Sequence, residues 1–210
     1  MIVDVAAEDV ELLERFYRDV YLPEFAAQRE PLEAWQSALD GEQAYQLFVR
    51  VVLERGDILG GIAYELYPRS ACGLVTYMVV APEARRAGIG KRLLLDATSE
   101  LVARGAVAVL GEVDDPRRGG DWQRLERFQR WGCRALDARY VQPALGPGLE
   151  RDRGLVLISL PPVRDALPGE LLRAFIAELH EVTERCAPDD ELREILDAIG
   201  DRVALVELAR

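Results

Sequence analysis

The sequence predicts an α/β fold in the broad sense, namely an α+β arrangement in which a mixed sheet carries helices on its faces. Three observations support this class. The hydrophobic pattern alternates between helical spacing and strand-like runs rich in β-branched and aromatic residues. Half of the 210 residues are hydrophobic, which provides material for a substantial core. The predicted elements follow the order β-α-α-β-β-β-α-β-α-β-β, with a helical tail after them.

Charge and cysteine content exclude several classes of function. The 37 acidic and 26 basic residues give a formal net charge of −11, which repels nucleic acid and anionic membranes. We therefore expect no nucleic-acid or membrane partner. Cys72, Cys133 and Cys186 are far apart and include no CxxC pair, which argues against a disulfide framework or a zinc site. Because the N-terminal stretch lacks a signal-like pattern and no apolar run approaches about 18 residues, a cytoplasmic location is expected.

The first part of the chain is predicted to contain a short strand, two helices and three longer strands. Pro31 fits the first turn of the second helix and Gly41 its end. The last of these strands is almost entirely apolar, so we expect it to be central and covered on both faces. The segments are residues 1–5 (strand), 6–25 and 31–41 (helices), 44–68 (a hairpin turning at 55–57) and 71–82 (strand).

The second part continues the alternation. A helix is predicted from Gly90 to the Arg104-Gly105 pair, because apolar residues repeat along one side and glycine follows its end. The remaining segments are residues 106–113 (strand), 114–121 (loop), 122–133 (a helix stopped at Gly132), and 140–145 and 154–160 (a closing strand pair).

A change of composition after Pro161-Pro162 marks a boundary. Residues 1–162 are predicted to form the main domain, and residues 163–210 a C-terminal extension of two or three amphipathic helices. Asp189 and Asp190 offer an N-cap for the second of these helices. The apolar stripes of the extension could pack on the sheet, form a homodimer interface or cover the acceptor site.

The sequence Arg-Arg-Ala-Gly-Ile-Gly, residues 85–90, stands between the apolar strand and the following helix. A helix start carries unpaired N–H groups and a partial positive charge, which favour an anion. Gly88 and Gly90 lack Cβ atoms, so a phosphate group can approach the backbone closely. Arginine side chains add charge and can bind phosphate through two hydrogen bonds. This stretch therefore predicts an anion-binding turn.

Two nucleotide-binding motifs do not fit the turn. A P-loop would need glycine at position 85 and a hydroxyl residue at position 92, where the chain has Arg85 and Arg92. A dinucleotide fingerprint would need a third glycine at position 93, which is Leu93. The pattern that fits is R-x-x-G-x-G, formed by Arg85, Gly88 and Gly90.

This pattern resembles the pyrophosphate-binding motif of the GCN5-related N-acetyltransferases (GNAT), an acyl-coenzyme A (acyl-CoA)-dependent family. The element order over residues 1–160 is similar to that of the family, and residues 127–133, RFQRWGC, resemble its xFYxxxGF segment. The resemblance implies a GNAT-like acyl-CoA N-acyltransferase fold with a C-terminal helical extension. It also implies acetyl-CoA as a co-substrate and no metal.

In relatives, the strand before the motif splays from its neighbour and binds the pantetheine arm through its backbone. The resemblance implies this role for Met78, Val79 and Val80. It places the pyrophosphate on the backbone of Arg86, Ala87, Gly88, Ile89, Gly90 and Lys91, with Arg85 at the family's Arg/Gln position.

Direct attack of an amine on the thioester requires a general base and stabilisation of the developing negative charge. Glu112, at the end of the fifth strand, is predicted to be the base because it would lie where the acceptor meets the thioester. Asp114 and Asp115 follow it in an acidic stretch, and Glu65 is a further candidate. A solvated acidic loop is the ordinary alternative for any single one of the residues 112, 114 and 115.

The acid that protonates the departing thiolate is harder to assign. Many relatives use a tyrosine at the position where this chain has Phe128, which has no proton to donate. Tyr140 is predicted to take this role and Tyr77 is the other candidate, although packing would also explain both. The thiolate could also leave without a specific acid.

Other residues with reactive or aromatic side chains are expected to be structural. His180 is predicted to be a surface residue of the tail, so no Ser-His or Cys-His nucleophile is supported. Cys72 and Cys133 are expected to be buried packing thiols. Trp122 and Trp131 are expected in the core unless they line a pocket.

The main hypothesis is an N-acetyltransferase that moves an acetyl group to a primary amine on a small molecule. The acidic stretch at residues 111–116 slightly favours a cationic acceptor, while a protein N-terminus or lysine also fits. The alternative from another class is a non-catalytic acyl-CoA-binding or sensing module. A third, less favoured hypothesis is an interaction protein that retains only the fold.

Overall fold

The computed structural model describes residues 1–25, 30–146, 148–162 and 164–210. The residues outside this description are 26–29 between the first two helices, Pro147 between the two predicted closing strands, and Val163 at the start of the predicted extension. The strands are β1 (Ile2–Val5), β2 (Gln46–Glu54), β3 (Asp57–Tyr67), β4 (Cys72–Val80), β5 (Ala108–Asp114), β6 (Arg134–Leu136), β7 (Leu155–Ser159), β8 (Ala166–Pro168) and β9 (Arg202–Val206). The helices are α1 (Val10–Phe16), α2 (Leu32–Leu39), α3 (Ile89–Ala103), α4 (Trp122–Arg130), α5 (Gly169–Glu184) and α6 (Asp190–Asp197).

The strands form one mixed sheet in the order β1-β2-β3-β4-β5-β7-β6-β9-β8. The pairing is antiparallel except between β4 and β5, which run parallel. The predicted hairpin is confirmed as β2 and β3, and β4 is central and largely buried. The mixed sheet with helices on its faces is therefore the fold that the sequence predicts.

Alternation along the strands divides the core between the two faces of the sheet. One face packs on α3 and α4, where Leu93, Leu94 and Phe128 join Ile62 and other strand residues in one apolar cluster. The opposite face carries two clusters. One contains α1 and α2 around Trp35, and the other contains α5 around Phe175.

The first helix is shorter than predicted. Within the predicted 6–25 segment, α1 continues into a π-helical turn at Tyr17–Tyr21. The side chains of Tyr17 and Tyr21 pack against Trp35 there, at ring-centroid distances of 5.8 and 4.8 Å. Aromatic packing is therefore concentrated where the helix changes its winding.

The predicted closing strand pair is wrong in its first member. The strand β7 pairs with β5 and β6, whereas residues 140–145 form only an isolated bridge between Gln142 and Asp152. Pro143 has no N–H group to donate to a strand ladder, and the side chains of Tyr140 and Val141 are buried. This segment therefore serves the core and the site rather than the sheet.

The C-terminal extension is only partly helical. Beyond α5 and α6, its β9 strand pairs with β6 and β8, so the extension lengthens the same sheet. The predicted N-cap is confirmed at Asp189, whose Oδ1 accepts a hydrogen bond from the Leu192 amide at 2.9 Å. The apolar side of α5 packs on the sheet. The domain boundary at 162/163 and the homodimer stay predictions.

His180 is not the surface residue that the sequence predicts. It is 2% exposed, because α5 packs over the sheet and turns this residue inward. Its Nε2 lies 3.0 Å from the carbonyl oxygen of Val141, which can only accept, so the ring donates from Nε2. The expectation for Cys72 and Cys133 is confirmed, since both are buried free thiols. The described helices include none with both the length and the apolar character needed to span a bilayer.

Candidate active site

The sheet opens between its two parallel strands. β4 and β5 pair only from Cys72 with Ala108 to Val75 with Gly111. Beyond this point β4 stays paired with β3, and β5 stays paired with β7. The strands therefore diverge from Thr76 and Glu112 onward, as the resemblance implies for this fold.

The turn before α3 presents a row of free amides. Gly88 is the N-cap residue with φ +76°, a left-handed conformation that glycine adopts without strain. In the described part of the chain, the amide N–H groups of residues 86–91 donate to no backbone or side-chain acceptor. Six consecutive free donors at a helix start fit a diphosphate group.

A groove of 790 Å³ runs from this turn along the diverging end of β4. Of the ten residues predicted to bind the cofactor, all except Ala87 line it. They are Met78, Val79, Val80, Arg85, Arg86, Gly88, Ile89, Gly90 and Lys91. Its volume lies within the range of about 300–1,000 Å³ typical of small-molecule sites. Free amides at one end and apolar strand residues at the other match the charged and neutral parts of acyl-CoA.

The opposite wall of the groove comes from α4. Arg124, Arg127, Phe128 and Trp131 all line it. Their spacing of three and four residues places them on one helix face, which is the signal in the sequence for this wall. The ring of Trp131 lies so close to α3 that a Cβ atom at Gly90 would be 3.3 Å away. Trp122, in contrast, packs against the core.

The side chain of Arg85 is bound by two groups of the protein. Its Nε donates to the carbonyl oxygen of Val80 at 3.1 Å, and its Nη2 pairs with the carboxylate of Glu24. Arg85 therefore ties the end of β4 to the segment after α1, while its backbone neighbours provide the free amides.

A narrow passage leads from the groove to the point where the strands part. It has a volume of 40 Å³ and shares Phe25, Met78, Arg124 and Phe128 with the groove. Its inner end is formed by Thr76 and Glu112, and its sides include Leu94, Ile158 and Leu160. The passage is thus mostly apolar and has room for only a small group.

Thr76 and Glu112 also line a second cavity, which we call the acidic pocket. It has a volume of 50 Å³ and lies on the sheet face that carries α1, α2 and α5. Its other members include two carboxylates and three tyrosines, namely Glu30, Glu65, Tyr45, Tyr67 and Tyr77. Leu179 and Thr183 of α5 complete the wall, so the C-terminal extension both packs on the sheet and borders this pocket.

Two side chains from one segment hold Glu112 in place. The Tyr140 hydroxyl donates to its Oε1, and the Gln142 Nε2 donates to its Oε2 at 2.9 Å. Burial raises the pKa of Glu112, against the effect of these two donors. The carboxylate is therefore fixed at the divergence of the strands and accepts a proton more readily than an exposed glutamate.

Tyr140 reaches the site only through Glu112. Its ring is buried, and it lines neither the groove, the passage nor the acidic pocket. Burial and the adjacent carboxylate raise the pKa of Tyr140 well above its usual value. Its assignment as the acid stays a prediction. Tyr77, the other candidate, lies in the wall of the acidic pocket.

The remaining acidic candidates divide into two groups. Asp114 pairs with Arg124 at 3.3 Å, and Asp115 pairs with Arg117 at 2.9 Å. Although burial opposes the change, hydrogen bonds from Arg117 lower the pKa of Asp115. Glu65 faces the acidic pocket, where burial and the charge of Glu30 raise the pKa of Glu65 well above normal. Glu30 was missed, because it precedes α2 and lies far in sequence from the turn.

The site thus consists of a groove with free amides that is joined, through a split sheet, to a pocket with carboxylates. The family model described as Acetyltransferase (GNAT) family matches residues 10–119. The chain belongs to this family and is an acyltransferase enzyme. A comparison of the sequence with curated proteins gave no significant match.

Solved structures show the same fold. A protein assigned to the GNAT acetyltransferase family from Bacteroides thetaiotaomicron is 17% identical with a TM-score of 0.65, over 87% of this chain and 97% of that one. An aminoglycoside acetyltransferase from an uncultured soil metagenomic sample, solved with sisomicin, is 19% identical with a TM-score of 0.52, over 62% and 86% of the chains. Tetrahymena GCN5 is 13% identical with a TM-score of 0.53, over 79% and 99%.

Proposed function

We propose that the protein transfers an acetyl group from acetyl-CoA to a primary amine on a small molecule. The observation that carries this proposal is the opening at Thr76 and Glu112. These two residues line both the passage from the groove and the acidic pocket. A thioester entering from one side and an amine entering from the other would meet there.

The size of the passage favours a short acyl group. Its 40 Å³ are bounded by Leu94, Phe128, Ile158 and Leu160, which are all buried. A longer acyl chain would have to displace these side chains from a closely packed core, which costs about 1–3 kcal/mol or more. We therefore assign acetyl-CoA as the donor.

Glu112 is the general base of this proposal. It takes a proton from the acceptor ammonium, and the free amine then attacks the acetyl carbon. The new C–N bond forms as the C–S bond breaks. Of the two protons that the nitrogen loses, one ends on the thiol of coenzyme A and the other is released.

In place of the predicted role as the acid, we propose that Tyr140 acts through Glu112 as a positioning residue. Its hydroxyl donates to Glu112 and its side chain lines neither the groove nor the passage, and Phe128 provides no hydroxyl in the groove. The raised pKa of Glu112 instead allows this side chain to hold the amine's proton and pass it to the sulfur.

Release of the free thiol of coenzyme A tests the proposal. Purified protein, acetyl-CoA and a panel of cationic primary amines should give amine-dependent thiol release, with an acetylated product of matching mass. Glu112→Gln should reduce the rate, while Glu33→Gln, at an exposed position of α2, should not. A protein whose melting temperature responds to acetyl-CoA but that releases no thiol with any amine would contradict acetyl transfer.

A further inference from the structure

We propose that the acceptor is a slender aliphatic diamine, whose second ammonium group binds to Glu30 and Glu65 in the acidic pocket while the first reacts beside Glu112. This inference rests on the proposed function and adds the substrate class. It follows from the charge, the shape and the placement of the pocket.

Within the part of the chain that the structure describes, the carboxylates of the pocket have no positively charged partner. None of Glu30, Glu65 and Glu112 forms an ion pair with an arginine or lysine of the described residues, and no such residue lines the pocket. Elsewhere in the described structure, Arg50 and Arg151 are each paired with several carboxylates. A cation from outside would supply the missing charge.

Glu65 gives the most specific indication of a ligand. It is 4% exposed and lines the pocket, yet only its Oε2 has a donor, the Tyr67 hydroxyl at 2.6 Å. Its Oε1 accepts no hydrogen bond from the described residues. A carboxylate oxygen in the pocket wall can accept hydrogen bonds from an ammonium group, so this atom is available to a cationic ligand.

The positions of the carboxylates separate two amine sites. Glu65 pairs across the sheet with Leu74, and Leu74 pairs with Leu110, two residues before Glu112. Glu65 and Glu112 therefore share a face but stand two strands apart and two residues offset, which is roughly 12 Å between their backbones. One ammonium group can contact Glu112 at the opening while a second contacts Glu65 inside the pocket.

The pocket also limits the shape of the linker. A volume of 50 Å³ accommodates about three to five water-sized groups, at roughly 10–15 Å³ each. Its tyrosines offer aromatic faces to an ammonium group and apolar surface to methylenes. A sugar ring would not fit, whereas a short methylene chain would.

The test compares 1,4-diaminobutane with n-butylamine, which has the same chain length but one ammonium group. The parental enzyme should use the diamine with at least a tenfold higher kcat/KM. Glu65→Gln and Glu30→Gln should each reduce this diamine-to-monoamine ratio at least about tenfold, since a charged hydrogen bond is lost. Glu33→Gln, the matched control outside the pocket, should keep the ratio.

The outcomes separate this inference from the proposed function. Equal use of the two amines by the parental enzyme would overturn the diamine assignment while acetyl transfer to amines still held. A ratio unaffected in both Glu65→Gln and Glu30→Gln would overturn the role of these residues. Absence of thiol release with every amine would instead refute the proposed function, and the substrate class with it. The parental comparison needs no variant, so it decides the question even if Glu65→Gln fails to fold.

Discussion

Substitution of Gly90 by valine should weaken acyl-CoA binding strongly without unfolding the protein. A Cβ atom at this position would lie 3.3 Å from the Trp131 ring, 3.6 Å from a Val80 methyl group and 3.8 Å from the Met78 methyl group. The two γ-methyl groups of valine would then occupy the space beside the free amides. Gly90 lies in the first turn of α3, where most residues fit better than glycine, so stability should change little.

The size of the effect follows from the amides that valine would cover. Loss of two charge-assisted hydrogen bonds to the diphosphate, at about 1.5–3 kcal/mol each, weakens binding by roughly 100-fold or more. A ligand at about 100 times its Kd stabilises the folded state by roughly 2.7 kcal/mol. For a chain of this size that corresponds to a rise in Tm of about 5–11 °C. At the same concentration the variant should show a rise of only about 1–2 °C.

Thermal melts with and without acetyl-CoA measure both effects. Ser99→Val is the matched control, because Ser99 is exposed on the same helix and lies outside the groove. It should retain the full ligand-induced shift. The opposite result would be a Gly90→Val protein with the Tm of the parent and a rise in Tm of 5 °C or more on adding acetyl-CoA. Such a rise lies in the range of roughly 5–11 °C expected of the parent, so it would refute the placement of the diphosphate at this turn.

The remaining predictions concern the carboxylates. Glu112→Gln should lower kcat by about 10²–10⁴-fold, with an unchanged acetyl-CoA melt shift; equal activity would exclude Glu112 as the base. Tyr140→Phe removes a donor that lowers the pKa of Glu112, so the acid limb of the kcat/KM–pH profile should move to higher pH. For Glu65, the folded-state pKa is raised, so the parental free energy of unfolding falls as pH rises through that value. Urea unfolding of Glu65→Gln should therefore show a stability that increases relative to the parent as pH rises above about 4.5, the ordinary pKa of a glutamate, and a constant difference would contradict this. Arg151→Met leaves the partly buried Glu184 without its partner at 2.5 Å and should cost about 3 kcal/mol, seen as a lower Tm. The Arg151 hydrogen bond lowers the pKa of Glu184 to about 2, so this cost should shrink as pH falls from about 4.5 towards 2.

The cofactor groove could be predicted from the sequence because its determinants are local. The free amides, Gly88 with its left-handed conformation and the strand residues 78–80 all lie within one strand-turn-helix unit. Periodicity and turn chemistry describe such a unit well. The contribution of α4 to the groove could not be predicted from local sequence alone. Arg124 and Arg127 line the groove only because the sheet places their helix beside α3.

The acidic pocket could not be predicted in the same way. Its members come from the segment before α2, the residue before β2, three strands, residues 142–145 and α5, so only tertiary packing brings them together. Glu112 and Glu65 were predicted separately as candidates, but nothing in their spacing showed that they share a cavity with Glu30. The strand β9 was missed for a related reason. Its five residues, RVALV, follow two helical patterns and pair only with strands from other parts of the chain.

The C-terminal extension is structurally part of the candidate active site. The His180 ring donates to the carbonyl oxygen of Val141, between the two residues that hold Glu112. Burial of Glu112 raises its pKa, and α5 provides Leu179 and Thr183 to the wall of the same pocket. The extension therefore contacts the segment that orients the proposed base and forms part of the wall of its pocket. This wall borders the acceptor side and not the cofactor groove. Substitutions in the extension should therefore change kcat/KM for amines more than they change the affinity for acyl-CoA.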